Sequence, residues 1–202
     1  MKDMMERPIN ERYDHLLAII GSQRFLKMQG LGNEVPFFIV PFRPEEAIEM
    51  GRVGNQLVKQ LGNMGIRVLK INLYDLAVEI LQNRGVWEKV LEVEPTITKD
   101  ELKELLQGIL DPENHLVPSI AQKMEQEAYD VMFITGVGEV FPYIRSHTVL
   151  NNLQSVAKSK PTVMFFPGIY TQSLEHGASL NLFGRLQDDR YYRAFNIYHS
   201  QI

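Results

Sequence analysis

Glycines and hydrogen-bonding side chains follow a short apolar run, 129–134, in the segment 135–154 (TGVGEVFPYIRSHTVLNNLQ). Gly136 and Gly138 make a Gly-x-Gly turn, where backbone N–H groups can come close to an anion. The other candidate binding side chains of this segment are Arg145, His147, Asn151 and Asn152. A guanidinium and an imidazole near a strand end can hold a phosphate or a carboxylate.

The same residues also have plain structural interpretations. A lone Gly-x-Gly without a third glycine is weak evidence for a phosphate site and is typical of an ordinary turn. A helix beginning at Phe141 would place Arg145 on one face and His147 on another, so these two side chains need not converge. The two asparagines can equally serve as structural hydrogen-bonding groups.

A second segment, 179–195, combines arginines, carboxylates and aromatic rings. Its candidate binding residues are Arg185, Asp188, Asp189, Tyr191 and Arg193. Adjacent carboxylates are hard oxygen ligands that suit Mg²⁺, although only one of two neighbours can point inward. The flanking arginines favour an ionic network without a metal. We expect the two segments to form one binding face.

No complete catalytic motif accompanies these residues. After the apolar run that ends at Val40, the chain reads PFRPEEA, which lacks the glycines and the Lys-Ser/Thr pair of a phosphate-binding loop. The sequence contains no Gly-x-Ser-x-Gly motif, and Ser146 and His147 are neighbours that cannot easily form a nucleophile and base pair. The other histidines have no partner at metal-ligand spacing: His15, His115, His176 and His199. We therefore predict a protein without catalytic activity, cofactor or metal.

Composition narrows the class of protein further. The chain has 202 residues, a formal charge of −4 and no cysteine. The charge and the absence of a basic run argue against general coating of nucleic acid, and the absence of cysteine excludes disulfides and thiolate chemistry. No apolar run approaches the roughly 20 residues that span a bilayer, and the first residues do not resemble a signal peptide. We expect a soluble, cytoplasmic protein without membrane contact.

The spacing of apolar residues predicts alternating strands and helices. The predicted strands are 35–42, 66–73, 129–134, 162–166 and 194–198. Helices are predicted over 10–27 and 45–64, and residues 74–127 are mostly helical, with Trp87 in the core. The segment 168–179 is predicted to be a loose loop. These elements predict a single α/β domain over 1–202: a three-layer, Rossmann-like or P-loop-like sandwich with a mostly parallel sheet of about five strands, a helical insertion and no Walker A motif.

The two polar segments, 135–154 and 179–195, resemble the signature segments of the BrxB family, a domain-of-unknown-function family of the bacteriophage exclusion (BREX) defence systems. The segments 36–46 (PFFIVPFRPEE), 71–81 (INLYDLAVEIL) and 110–113 (LDPE) also fit that family. The resemblance therefore covers nearly the whole chain.

This resemblance implies a non-catalytic adaptor or scaffold subunit of a BREX complex, which the assembly needs for host DNA methylation and phage restriction. The implied partners are other BREX proteins, first the alkaline-phosphatase-like PglZ, then the methyltransferase PglX and the ATPase BrxC. Contact with DNA would be indirect. The family carries no catalytic motif that could be transferred to residues of this chain.

Two alternatives remain open from the residues themselves. One is a DNA-contacting subunit or nuclease of the same system, which would need a clustered basic face and a metal at Asp188 or Asp189. The other is a nucleotide or anion sensor that uses Arg145 and the turn from Gly136 to Gly138.

Overall fold

A computed structural model describes residues 4–30, 36–173, 177–184, 186–187 and 194–200. Within these ranges the strands are β1 Phe37–Phe42, β2 Val68–Asn72, β3 Val131–Thr135, β4 Thr162–Ser173, β5 Gly177–Leu182, β6 Leu186–Gln187 and β7 Phe195–Asn196. The main sheet has the order β2-β3-β4-β1-β7, and each neighbouring pair along it is parallel. All five predicted strands are present, but β4 continues seven residues beyond the predicted end at 166, and β7 is only two residues long. The prediction of a mostly parallel α/β sheet is confirmed.

The helices of the described residues are α1 Ile9–Ile20, α2 Gln23–Leu26, α3 Ala47–Asn63, α4 Leu73–Asn83, α5 Trp87–Val93, α6 Lys99–Ile109, α7 Val117–Gln126 and α8 Ser146–Leu153. A π-helical turn, Pro112–Leu116, precedes α7. The prediction of a single helix over 10–27 is wrong, because the helix is interrupted at Gly21 and Ser22. The Ser22 side chain accepts the N–H of Phe25 and so begins a separate helix.

Side chains alternate across the central strands and build one apolar core on each face of the sheet. From β1, Phe37 and Ile39 join a core with α4 to α8, whereas Phe38 and Val40 join a second core with α1 and α3. The period of two that a strand imposes on its side chains explains this division. The chain is therefore a three-layer sandwich, as the alternating pattern predicts.

The helical insertion between β2 and β3 is confirmed, and polar side chains cap its helices. Asn72 accepts the N–H groups of Tyr74 and Asp75 at the start of α4. Thr98 and Glu101 form a capping box at α6. Asp111 accepts the N–H of Asn114 before α7. These caps satisfy backbone donors that the first turn of a helix leaves free. Trp87 is only half-buried, and it packs against the core from α5.

Two further expectations from the sequence are wrong. The described parts of the segment 168–179 are not a loose loop: β4 extends through Ser173, and its outer half pairs antiparallel with β5, which begins at Gly177. Backbone pairing thus orders a stretch whose side chains give little strand signal. The helix expected from Phe141 begins instead at Ser146, because the chain turns at Val140 to Ile144 and Arg145 is extended.

Candidate functional site

The loops after the parallel strands surround a cleft of about 570 Å³, the carboxyl-edge cleft. Pro44 follows β1, Asn72 ends β2 and Gly136 follows β3, while Pro167 stands opposite Phe42 where the parallel part of β4 ends. The N-terminal half of α3 forms one wall. Ligands of open α/β sheets bind at this edge, so the cleft is the candidate functional site of the fold.

The Gly-x-Gly turn lies in this cleft, and packing accounts for both glycines. Gly136 has φ +75°, and its carbonyl accepts the N–H of Glu139 at 3.1 Å. A Cβ at Gly138 would lie 3.0 Å from the Pro167 ring and 3.1 Å from the Phe183 ring. The positive φ favours glycine at 136, and a side chain at 138 would force the Pro167 or Phe183 ring to move by a few tenths of an ångström.

Three charged side chains line the carboxyl-edge cleft. Lys70, from β2, donates from Nζ to Asn55 Oδ1 at 2.7 Å, which ties β2 to α3. Arg52 projects from α3 as an exposed cation, and Glu139 brings one exposed carboxylate. Two cations against one carboxylate favour an anionic group.

The remaining lining is mainly apolar. Ile48, on α3, is 74% exposed, and Phe165 and Phe183 line the cleft with it. Among the described lining residues there is no histidine, serine or cysteine. Within the described ranges, no three His, Cys, Asp or Glu side chains come together as a metal site. The one hydroxyl among the described lining residues, Thr135 Oγ1, donates to the backbone carbonyl of Ile71 at 3.4 Å rather than to a side-chain base.

The other candidate residues of 135–154 lie at α8 and do not line the carboxyl-edge cleft. Arg145 is exposed immediately before the helix, His147 is half-buried in its first turn, and Asn151 is exposed. Asn152 is half-buried and donates from Nδ2 to the carbonyl of Thr148 at 2.8 Å. The structure thus separates the glycine turn from these four side chains, and their role in binding stays a prediction.

The candidates of the second segment lie outside the described residues. These are Arg185, Asp188, Asp189, Tyr191 and Arg193. The ionic network, the magnesium alternative and the shared binding face with 135–154 therefore remain predictions.

Sequence reasoning missed the cations of the cleft and one buried ion pair. Lys70 gives a visible signal, because it is the one charged residue in the β2 sequence VLKIN. Arg12 is 1% exposed and makes a bidentate salt bridge to Glu46, with N to O distances of 3.0 and 2.8 Å. Burial by itself lowers the pKa of Arg12, but its interactions with Glu46 and Tyr198 together outweigh this and raise the pKa. The sequence feature that could have revealed Arg12 is its position four residues before Leu16. This spacing places Arg12 on the buried stripe of α1.

The fold and the cleft define an α/β protein with a parallel five-strand sheet, a helical insertion and an open cleft at the carboxyl edge of the sheet. The family model described as "BREX protein BrxB" matches residues 69–197. The chain belongs to this BrxB family and is thus a component of a BREX phage-exclusion defence system.

Two relatives carry the same description. A BREX protein BrxB of Bacillus cereus (strain H3081.97) is 36% identical over 95% of this chain and 98% of the relative. A BREX protein BrxB of Escherichia coli O9:H4 (strain HS) is 28% identical over 96% of this chain and 94% of the relative. No solved structure matches the chain significantly. Across the described ranges, no helix has the length and apolar character to cross a membrane.

Proposed function

We propose that this chain is a non-catalytic adaptor subunit of a BREX assembly, and that host DNA methylation and phage restriction by the assembly require it. We further propose that it binds other BREX proteins directly. PglZ is the first candidate partner, with PglX and BrxC as further candidates, and DNA is contacted only through them. The similarity to BrxB proteins along almost the whole chain supports a role that uses the entire fold.

The observation that carries this proposal is the composition of the carboxyl-edge cleft. Exposed apolar surface at Ile48 lies beside Phe183 and the two cations Arg52 and Lys70. Aromatic rings, arginine and large apolar side chains are the groups that protein interfaces use at their centres. The described lining combines these groups in one cleft, which supports a role in binding another protein.

A complementation experiment separates the adaptor from an enzyme. In cells that carry the complete BREX gene set, deletion of this chain should abolish both adenine methylation and phage restriction. Glu139→Gln removes the carboxylate of the cleft without changing its shape, and we expect it to retain methylation and restriction, with at most the modest loss that one charge at the rim of an interface contributes to partner binding. Ile48→Asp places a charge in the apolar rim, and we expect it to restore neither.

Val156→Asp is the matched control for Ile48→Asp, because Val156 is an exposed apolar residue, 38% exposed, that does not line the cleft. It should complement fully. Loss of methylation with Glu139→Gln in a folded protein that still binds its partners would contradict the non-catalytic proposal.

Binding of a small phosphate-bearing ligand is a second candidate function. The placement of Lys70 and Arg52 beside the turn at Gly136 favours it. The cleft volume of about 570 Å³ lies within the range of roughly 300–1,000 Å³ typical of small-molecule sites. A ligand bound there would contact these cations rather than Arg145.

Melting curves with and without ATP, ADP, cyclic dinucleotides and pyrophosphate test this second function. A ligand at 100 times its Kd stabilises a folded protein by about 2.7 kcal/mol, which shifts the melting temperature measurably. The shift should disappear in Lys70→Ala and persist in Lys59→Ala, which removes an exposed lysine elsewhere on α3. No shift with any of these ligands would contradict a sensor role.

A further inference from the structure

An apolar groove lies between the helical insertion and the turn before α8, and Glu139 lines both this groove and the carboxyl-edge cleft. The side chains that define this insertion groove are Tyr74, Leu81, Trp87, Leu91, Leu102 and Tyr143. Tyr74 is 49% exposed and Leu91 is 43% exposed. Leu105, beside Leu102 on α6, is 38% exposed. Single exposed apolar residues are common on protein surfaces, but a contiguous group around one groove marks a site of interaction.

The size of the insertion groove favours a side chain over a small ligand. Its cavity of about 190 Å³ is smaller than the roughly 300–1,000 Å³ of most small-molecule sites. One or two leucine-sized anchors would fill it. Helices that dock in grooves present such anchors at positions i, i+3 or i+4, and i+7.

The charge around the groove identifies the chemistry of the partner. Residues 74–127 contain 12 Asp and Glu against 5 Lys and Arg, a formal charge of −7, whereas the rest of the chain contains 13 against 16, or +3. Glu94 and Glu139 line the groove itself, and α5 adds Glu88 and Glu92 beside the single cation Lys89. This acidic surface repels a phosphate backbone and attracts a basic protein segment.

We propose that the insertion groove binds an amphipathic helix of another BREX protein, with leucine-like anchors on one face and Lys or Arg residues beside them. The anchors would cover Leu91 and Tyr74, and the basic residues would meet Glu94 and Glu139. This inference rests on the proposed adaptor function and adds the site and the class of segment that it recognises. The carboxyl-edge cleft remains available for a second contact.

Two variants separate the apolar and the electrostatic contributions to binding. Leu91→Asp introduces a charge at an exposed position, and we expect it to weaken binding at least about tenfold, the effect of losing a central apolar anchor. Glu94→Lys reverses one charge of the rim, and we expect a loss of about three- to tenfold that diminishes as salt is raised. Val156→Asp, on a surface away from the groove, should bind as the wild type does. Melting temperatures and circular dichroism establish that each variant is folded.

The probes are overlapping 20-residue peptides that cover the other proteins of the same BREX cluster, tested for binding to the intact chain by fluorescence anisotropy. We expect basic amphipathic peptides to bind to the wild type, and we expect both groove variants to bind the same peptides more weakly. Absence of binding by any such peptide, or binding that Leu91→Asp leaves unchanged, would overturn the proposal. Self-association of the chain that Leu91→Asp abolishes would also overturn it, because the occupant would then be a second copy.

Co-elution of the full-length proteins keeps this inference distinct from the adaptor function. If a BREX protein co-elutes with the wild type and with Leu91→Asp equally well, the adaptor function stands and the groove is not its interface. If no BREX protein co-elutes, the adaptor function fails, and the peptide measurements still decide whether the groove binds basic helices.

Discussion

The side-chain amide of Asn72, at the end of β2, occupies the space that a Cβ at Gly136 would need. That Cβ would lie 3.0 Å from Asn72 Cγ and closer still to its Oδ1, which caps α4. The loop after one strand is thus shaped around the helix cap that follows the neighbouring strand. This contact fixes the loop after β3 against the end of β2, and both of these line the carboxyl-edge cleft.

Gly136→Ala should therefore destabilise the protein. It places a side chain at φ +75° and displaces the cap, so we expect the free energy of unfolding in urea to fall by about 2–4 kcal/mol. Gly62→Ala is the control, because Gly62 is helical and a Cβ there has no neighbour within 4 Å. It should be neutral or raise stability by up to about 1 kcal/mol. Equal effects of the two changes would contradict this account of Gly136.

The buried ion pair predicts a large effect at Glu46. Glu46→Gln leaves the Arg12 guanidinium buried without the carboxylate that it contacts, and we expect a loss of about 3 kcal/mol in the free energy of unfolding. Glu11→Gln is the matched control, since the pair of Arg7 and Glu11 is exposed and should contribute about 0.5 kcal/mol or less. Urea unfolding at pH 7 measures both. A small loss at Glu46 would show that Arg12 is solvated.

The Asp130 carboxylate should account for part of the stability that the folded protein loses in acid. It accepts hydrogen bonds from the Arg67 side chain and backbone, which lower its pKa from 3.8 to about 2. A lowered pKa contributes stability above the ordinary value and loses it as pH falls through the folded value, here between about pH 4 and pH 2.

Asp130→Asn should cost about 1 kcal/mol at pH 7, a modest figure because Arg67 is more than half exposed. It should also flatten the stability curve between about pH 4 and pH 2. The measurement is urea unfolding across this pH range. Asp100→Asn, at a carboxylate that is 91% exposed, is the control and should have a smaller effect on stability at pH 7. If Asp130→Asn loses stability between about pH 4 and pH 2 as steeply as the wild type, the lowered pKa of Asp130 does not account for the acid sensitivity.

Tyr170 predicts a change in alkaline solution. Burial raises its pKa to about 12, and its hydroxyl donates to the carbonyl of Ala194, just before β7. The unfolded chain loses this proton near pH 10, so stability falls as pH rises from about 10 to 12. Tyr170→Phe should cost about 1 kcal/mol at pH 7 and should lose less stability than the wild type over that alkaline range. Parallel pH curves for the two proteins would contradict the assignment.

The parts of the fold that follow from local patterns could be predicted from the sequence. The parallel strands and the insertion arise from apolar spacing and from caps such as Thr98 with Glu101, and both are local signals. The antiparallel pair of β4 and β5 could not be predicted, because backbone pairing of 168–173 with 177–182 orders these residues despite weak strand propensity. Gly136 lines the carboxyl-edge cleft, whereas Arg145, nine residues later, lies at the start of α8 and does not line it. This separation could not be predicted, because it depends on the turn before α8.

The central claim is that this chain acts by binding other BREX proteins. The most direct test is co-expression of the tagged chain with each protein of its BREX cluster, followed by size-exclusion chromatography with light scattering to determine the mass of each complex. We predict that at least one protein, PglZ first, co-elutes at a defined stoichiometry, and that Ile48→Asp or Leu91→Asp abolishes this while Val156→Asp does not. Elution of the chain alone in every combination would contradict the adaptor account.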